Sequence, residues 1–231
     1  MFFPTNRTQK QNYVWIKELK NLIYQDFAIE GNISSGKSTI LKRLKEKQSD
    51  FLILTEPVQK WCDFDGVNLM EKIYDANRMG AIIQVYISMT MTEHHKKPYD
   101  KILERSIFSG YEIFIKYLDI KKYINKIEKK ILDQFIDYIK EQLDIKQPIF
   151  IFLDTPVNKC SDRWKERVDQ DNFFVDFELL SGIEELTEQW KSKLSSENRK
   201  YYEISGEGDP EEICANIELI IEFERLNQIR L

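Results

Sequence analysis

The chain has 231 residues, a comfortable length for one α/β domain, and 42% of them are hydrophobic, which is ample for a core of that size. A formal net charge of −5 argues against a protein that tracks a nucleic-acid backbone, which needs excess Lys and Arg, but leaves room for a local positive pocket that takes a small anion. The 3 cysteines, Cys62, Cys160 and Cys214, are odd in number and too scattered for a metal cluster, and no apolar run approaches the ~18 residues of a membrane span.

Residues 1–25 read as an N-terminal extension before a single domain at 26–231. Arg7, Lys10, Lys17 and Lys20 lie there with Glu18 as the first acid, so a cytoplasmic chain is the expectation and a mitochondrial targeting segment the alternative. The next stretch carries the strongest signal. An apolar strand, Phe27-Ala-Ile, runs through Glu30 into Gly31, Asn32, Ile33, Ser34, Ser35, Gly36, Lys37, Ser38 and Thr39, and Ile40, Leu41 and Leu44 then mark an amphipathic helix. Two glycines bracketing four residues ahead of Lys-Ser let successive N–H groups turn around a phosphate at a helix N-terminus. Lys37 would reach the β- and γ-oxygens of a nucleotide, and Ser38 would ligate Mg²⁺.

That helix is expected over 37–47, followed by a buried strand at 51–55 that ends in Glu56-Pro57. Ligands of open α/β sheets bind outside the carboxyl ends of strands, so Glu56 points toward the phosphate loop unless it is a solvated loop acid. Residues 61–74 mix a turn with a short amphipathic piece, and a long helix is expected over about 77–91. Within it Gln84 shares a side with Ile87 and Met91, where an amide could meet a nucleobase edge; an ordinary half-exposed glutamine is the bland alternative. The strand at 100–104 ends in Glu104 and Arg105, either a surface ion pair or a metal ligand beside a charge that orients the reacting groups.

Helix is expected over 107–118, and Ile124, Ile127, Ile131, Phe135, Ile139 and Leu143 form the core stripe of another. The run 148–153 is a central strand. The following helix ends in Arg163, Lys165 and Arg167, a basic cluster that fits a lid over phosphates as well as an exposed helical turn. Helix to about 194, a strand at 201–204 and a last helix bearing Ile213, Ile217, Ile220 and Leu226 complete the pattern. Alternating strands and helices give a doubly wound α/β fold of about five parallel strands flanked by helices.

Assembled, these residues resemble the deoxynucleoside kinase family from about Phe27 to Trp190. The matching elements are the loop Ile29 to Ser38, Thr55-Glu-Pro-Val58 with Trp61, Gly66-Val-Asn-Leu69 with Tyr74, Gln84, Glu104-Arg-Ser106-Ile-Phe-Ser109, Phe114 and the lid arginines. The resemblance implies a P-loop kinase that uses ATP and Mg²⁺, acts on a deoxynucleoside and forms a homodimer, with a lid at about 163–173. It makes Glu56 the base for the 5′-hydroxyl, Arg105 the holder of that end, and Arg163 and Arg167 the lid cations. Gln84 would pair with the base between Trp61 and Phe114, and Tyr74 would bond the 3′-hydroxyl. Lys37, Ser38 and Glu104 would serve the nucleotide and metal. Met91 and Gly110 stand where deoxycytidine- and purine-directed members tend to carry Arg and Asp, which implies that pyrimidines, thymidine included, are preferred. Three features depart from the family pattern: Gly110-Tyr111, Asp169 for a lid Arg, and Asn172 for a sugar-binding Glu.

Rival readings remain. Thymidylate kinases share the phosphate loop and a strand ending in Glu-Pro, and a non-catalytic family member would keep the fold without turnover. A GTPase would need Asp63-Phe-Asp-Gly66 and Asn125-Lys-Ile-Glu128 to close apolar strands, which neither does.

Overall fold

The structure is a computed structural model that describes residues 25–47, 50–74, 79–167 and 175–229. Of the proposed extension at 1–25, only Gln25 is among them. Five apolar runs form strands: β1 (Asp26–Glu30), β2 (Leu52–Leu54), β3 (Lys101–Glu104), β4 (Ile149–Asp154) and β5 (Tyr201–Ser205). They make one sheet in the order β2-β3-β1-β4-β5, and every pairing is parallel. The expected doubly wound α/β architecture is therefore the one observed.

The helices are α1 (Lys37–Glu46), α2 (Val58–Cys62), α3 (Leu69–Lys72), α4 (Gly80–His95), α5 (107–120), α6 (Lys126–Gln142), α7 (Val157–Arg167), α8 (Phe177–Ser196) and α9 (Pro210–Ile229). A parallel sheet covered on both faces needs apolar residues at successive positions, and the central strands supply them. Phe27, Ile29, Ile151 and Leu153 pack on one face with Ile40 and Leu41 of α1 and Ile213 and Ile217 of α9. Ala28, Phe150 and Phe152 face the other way against Trp164 of α7 and Leu180, Ile183 and Trp190 of α8. Ile29 pairs with both Glu104 and Ile151, so the carboxyl ends of β1 and β3 lie side by side while β4 continues past them to Asp154.

Several expectations change in detail. The stripe assigned to the core in α6 is only partly buried: Leu132, Ile136 and Ile139 face inward, whereas Ile127 and Ile131 are 72% and 56% exposed. This helix carries two adjoining apolar stripes, and periodicity alone does not choose which one meets α4. The helix expected over 107–118 contains a π-helical turn at Gly110–Ile115, which re-phases it where it lines the crevice. The motifs that mimic a GTPase are local structure. Asn125 and Glu128 form the capping box of α6, and Asp63 accepts from Gly66 N at 3.0 Å in a turn closed by the Phe64–Val67 bridge. Among the described residues no helix is long and apolar enough to cross a membrane.

Candidate active site

The phosphate loop is shaped by backbone geometry that few residues tolerate. Gly31 has a φ of +141°, and a Cβ there would lie 2.6 Å from the Leu153 carbonyl oxygen. Gly36, at φ +110°, begins α1 with no side-chain cap, so the first N–H groups of that helix stay open to an anion. Residues from distant parts of the chain hold the loop. Asn32 Nδ2 donates to Leu180 O at 2.9 Å, Thr155 Oγ1 to Ser35 O at 3.0 Å, and Arg163 Nη1 to the same Ser35 oxygen at 2.9 Å. Arg163 Nη2 also donates to Gly206 O at 3.0 Å, which ties the loop to the segment after β5.

Lys37 is buried, 5% exposed. Its Nζ donates to Asn32 O at 2.6 Å and Gly31 O at 3.3 Å. Burial, helped by Arg105, pulls its pKa down to about 8, so the ammonium is poised to be stabilised by an arriving anion. Beside it the Ser38 hydroxyl donates to the Glu104 carboxylate. One hydroxyl and one carboxylate suit a hard divalent cation that takes its other oxygens from phosphates and water. Among the described residues no group of three or more His, Cys, Asp and Glu offers a closed metal cage.

Next to the loop lies a cavity of about 400 Å³. Its walls include Glu56, Trp61, Tyr74, Gln84, Met91, Arg105, Gly110 and Phe114, which come from separate parts of the chain. Gln84 is 1% exposed, and its Oε1 has no partner among the described residues. A buried acceptor left open inside a cavity is costly unless a ligand satisfies it, so the half-exposed glutamine is not what forms. Trp61 is fixed by a 2.9 Å bond from its Nε1 to Thr90 Oγ1. Phe114 lies beneath the Arg105 guanidinium, whose Cζ is 5.0 Å from the ring centroid. Met91 is buried, and a Cβ at Gly110 would meet nothing within 4 Å. Tyr74 packs edge-on against Tyr117 and Tyr123, and burial pushes its phenol well above the usual range, so it remains a hydrogen-bond donor.

Between loop and cavity stand the two strand-end charges. Glu56 Oε1 lies 3.3 Å from Arg105 Nε, and Glu56 N donates to Glu104 Oε2 at 3.3 Å. Burial raises the Glu56 carboxyl above its ordinary pKa, and the adjacent Arg105 opposes that rise. Arg105 is 3% exposed and has a φ of +57°, a left-handed conformation that costs a non-glycine residue about 1–3 kcal/mol. Its Nη1 has no partner among the described residues.

A second cavity of about 530 Å³ runs along the phosphate loop, and Ser34, Lys37, Ser38 and Arg167 line both. Of the basic cluster, Arg167 is thus at the junction, while Arg163 spans the loop and Gly206. Lys165 is exposed and paired with Asp162. Asn172 and Asp169 lie outside the described residues. Sequence reasoning missed Thr90, which stands beside the cavity-lining Met91 on α4 and holds Trp61. It also missed Glu30, whose neighbour Ser106 sits 76 positions away.

Comparison with known proteins gives concordant results. The profile of the deoxynucleoside kinase family matches residues 27–222. Thymidine kinase 2, mitochondrial, from Homo sapiens is 33% identical over 183 residues, which cover 78% of this chain and 67% of that protein. Deoxycytidine kinase 2 from Gallus gallus is 26% identical over 191 residues, 71% of this chain and 72% of that one. The solved deoxyadenosine kinase from M. mycoides with bound dCTP shares the fold, with a TM-score of 0.72 at 17% identity over 86% of this chain and 99% of that chain.

Proposed function

The chain belongs to the deoxynucleoside kinase family, and on that premise we propose that it transfers the γ-phosphoryl group of ATP to the 5′-hydroxyl of a pyrimidine deoxynucleoside. The observation that carries the reading is the meeting of two cavities at Ser34, Lys37, Ser38 and Arg167, with the Glu56–Arg105 pair on the acceptor side. A phosphate cradle and an aromatic, amide-bearing pocket that share a wall can hold donor and acceptor in line.

In this reading Glu56 takes the 5′-hydroxyl proton, and Arg105 orients that oxygen through the guanidinium edge not engaged by Glu56. Lys37 and Arg167 face the transferring group and stabilise its spread charge, with Arg163 bracing the donor loop. Ser38 and Glu104 would hold Mg²⁺, which when bound neutralises phosphate charge. Gln84 reads the base edge between Trp61 and Phe114, and Tyr74 bonds the sugar 3′-hydroxyl. The domain is residues 26–231, with a lid at about 163–173.

Pyrimidine preference is supported by the uncharged wall at Met91 and Gly110, where a thymine methyl strands no buried charge. The Gln84 amide can present either end to the base. The names of the thymidine and deoxycytidine kinase relatives agree with it. An ADP-release assay across deoxynucleosides, deoxynucleotides and no acceptor tests the whole reading. We expect kcat/KM for the better pyrimidine to exceed that for either purine by at least about tenfold. Turnover confined to deoxynucleoside monophosphates would instead make the protein a thymidylate-type kinase, and ADP release without an acceptor would remove the nucleoside from the reaction.

We extend the proposal to a homodimer. Ile82 and Met89 on α4 and Ile127 and Ile131 on α6 are all more than half exposed on two helices that pack together, an apolar surface suited to a second copy. Sedimentation at micromolar concentration should give twice the chain mass of 27.7 kDa; a single-chain mass would count against it.

A further inference from the structure

We propose that Glu30 is a positioning residue for Arg105, holding the left-handed turn that aims the guanidinium into the acceptor cavity. The inference rests on the kinase reading above and adds to it a residue that touches neither substrate. β1 and β3 are parallel neighbours with Ile29 opposite Glu104, so the last residues of β1 lie beside Arg105 and Ser106. Two successive links join them. Arg105 N donates to Ile29 O at 3.0 Å, and Ser106 Oγ donates to Glu30 Oε1 at 2.7 Å. Consecutive residues of one strand thereby clamp consecutive residues of the other.

Arg105 needs such a clamp. A non-glycine residue at φ +57° persists only where its surroundings over-determine it. On the far side the turn is anchored by the Ser106–Ser109 capping box and by Ile107 N, which donates to His95 Nε2 at 3.3 Å. Burial lowers the His95 pKa to about 3, so this imidazole stays neutral and able to accept. On the near side Glu30 supplies the anchor to Ser106.

Packing alone does not explain a carboxylate at this position. Glu30 is fully buried, and its Oε2 has no partner among the described residues. An amide would accept from Ser106 equally well without burying a charge. What a carboxylate adds is a field: burial pushes the Glu30 pKa up to about 7 against the opposing pull of Arg105 and Lys37, so the charge is present above that pH. The charge under the floor of the site therefore favours the guanidinium where it stands, while the hydrogen bond fixes the peptide that carries it.

A kinetic cycle tests this with the full chain: Glu30→Gln, Arg105→Lys and the double variant, measured by ADP release and thermal melting. Glu30→Gln keeps volume and acceptor but removes the charge. It should lower kcat by about 10- to 100-fold while KM for the donor moves less than about threefold and Tm does not fall. In the Arg105→Lys background the same change should cost less than about threefold, because the group it positions is gone. An equal loss in both backgrounds would overturn the inference, as would a loss explained by a lower Tm. Should Glu30→Gln not fold, Glu30→Asp, which retains charge but shortens the reach to Ser106, replaces it in the same cycle under the same criteria. Wild-type kcat in the folded variant would remove this inference alone; an inactive wild-type chain would remove the kinase reading and this inference with it.

Discussion

Lys37→Met should leave a folded chain whose phosphoryl transfer is lower by on the order of 10³-fold or more, the scale expected when a preorganised charge on the transferring phosphate is removed. The fold should survive because the loop has other anchors. Asn32 is tied to Leu180, and Ser35 is held by both Thr155 and Arg163, so the cradle does not depend on the ammonium for its shape. Methionine fills a similar volume and removes a buried charge, which offsets part of the loss of three bonds to Gly31, Asn32 and Ser35. The measurement is single-turnover ADP formation beside a melting curve. Retained turnover would show that the loop lysine is structural, and a collapsed melting transition would show that the anchors named above do not suffice.

Glu56→Gln should lower kcat by about 10²–10⁴-fold, with little change in KM for the nucleoside, because a positioned base acts in the transition state. Glutamine keeps the shape and still offers an oxygen to Arg105, whose Nε lies 3.3 Å from the native carboxylate. It cannot take a proton. The direction of the pH effect follows from the same chemistry. Burial raises the Glu56 pKa, and the base works only when deprotonated, so wild-type kcat/KM should rise with pH through that pKa. The residual activity of Glu56→Gln should lack this acid limb. A variant with unchanged kcat would leave Glu56 as a partner of Arg105 and nothing more.

By itself the sequence determined those features whose cause is local. The spacing of Gly31, Gly36, Lys37 and Ser38 dictates a cradle because N–H groups can converge there only if the backbone takes conformations that glycine allows. Apolar runs bounded by polar turns made five parallel strands, and strand ends placed Glu56, Glu104 and Arg105 at one edge. Tertiary structure decided whatever depended on a partner far along the chain. Lys37 turned out to be buried because the loop carbonyls fold back over its ammonium. Arg163 found Ser35 and Gly206, 128 and 43 positions away, and Trp61 found Thr90. The inward face of α6 was settled by its contact with α4, since two apolar stripes with the same period compete and only packing distinguishes them. The left-handed turn at Arg105, clamped through Ser106 by a glutamate 76 residues earlier, leaves no trace in periodicity, because a hydrogen bond between neighbouring parallel strands fixes no spacing along the chain.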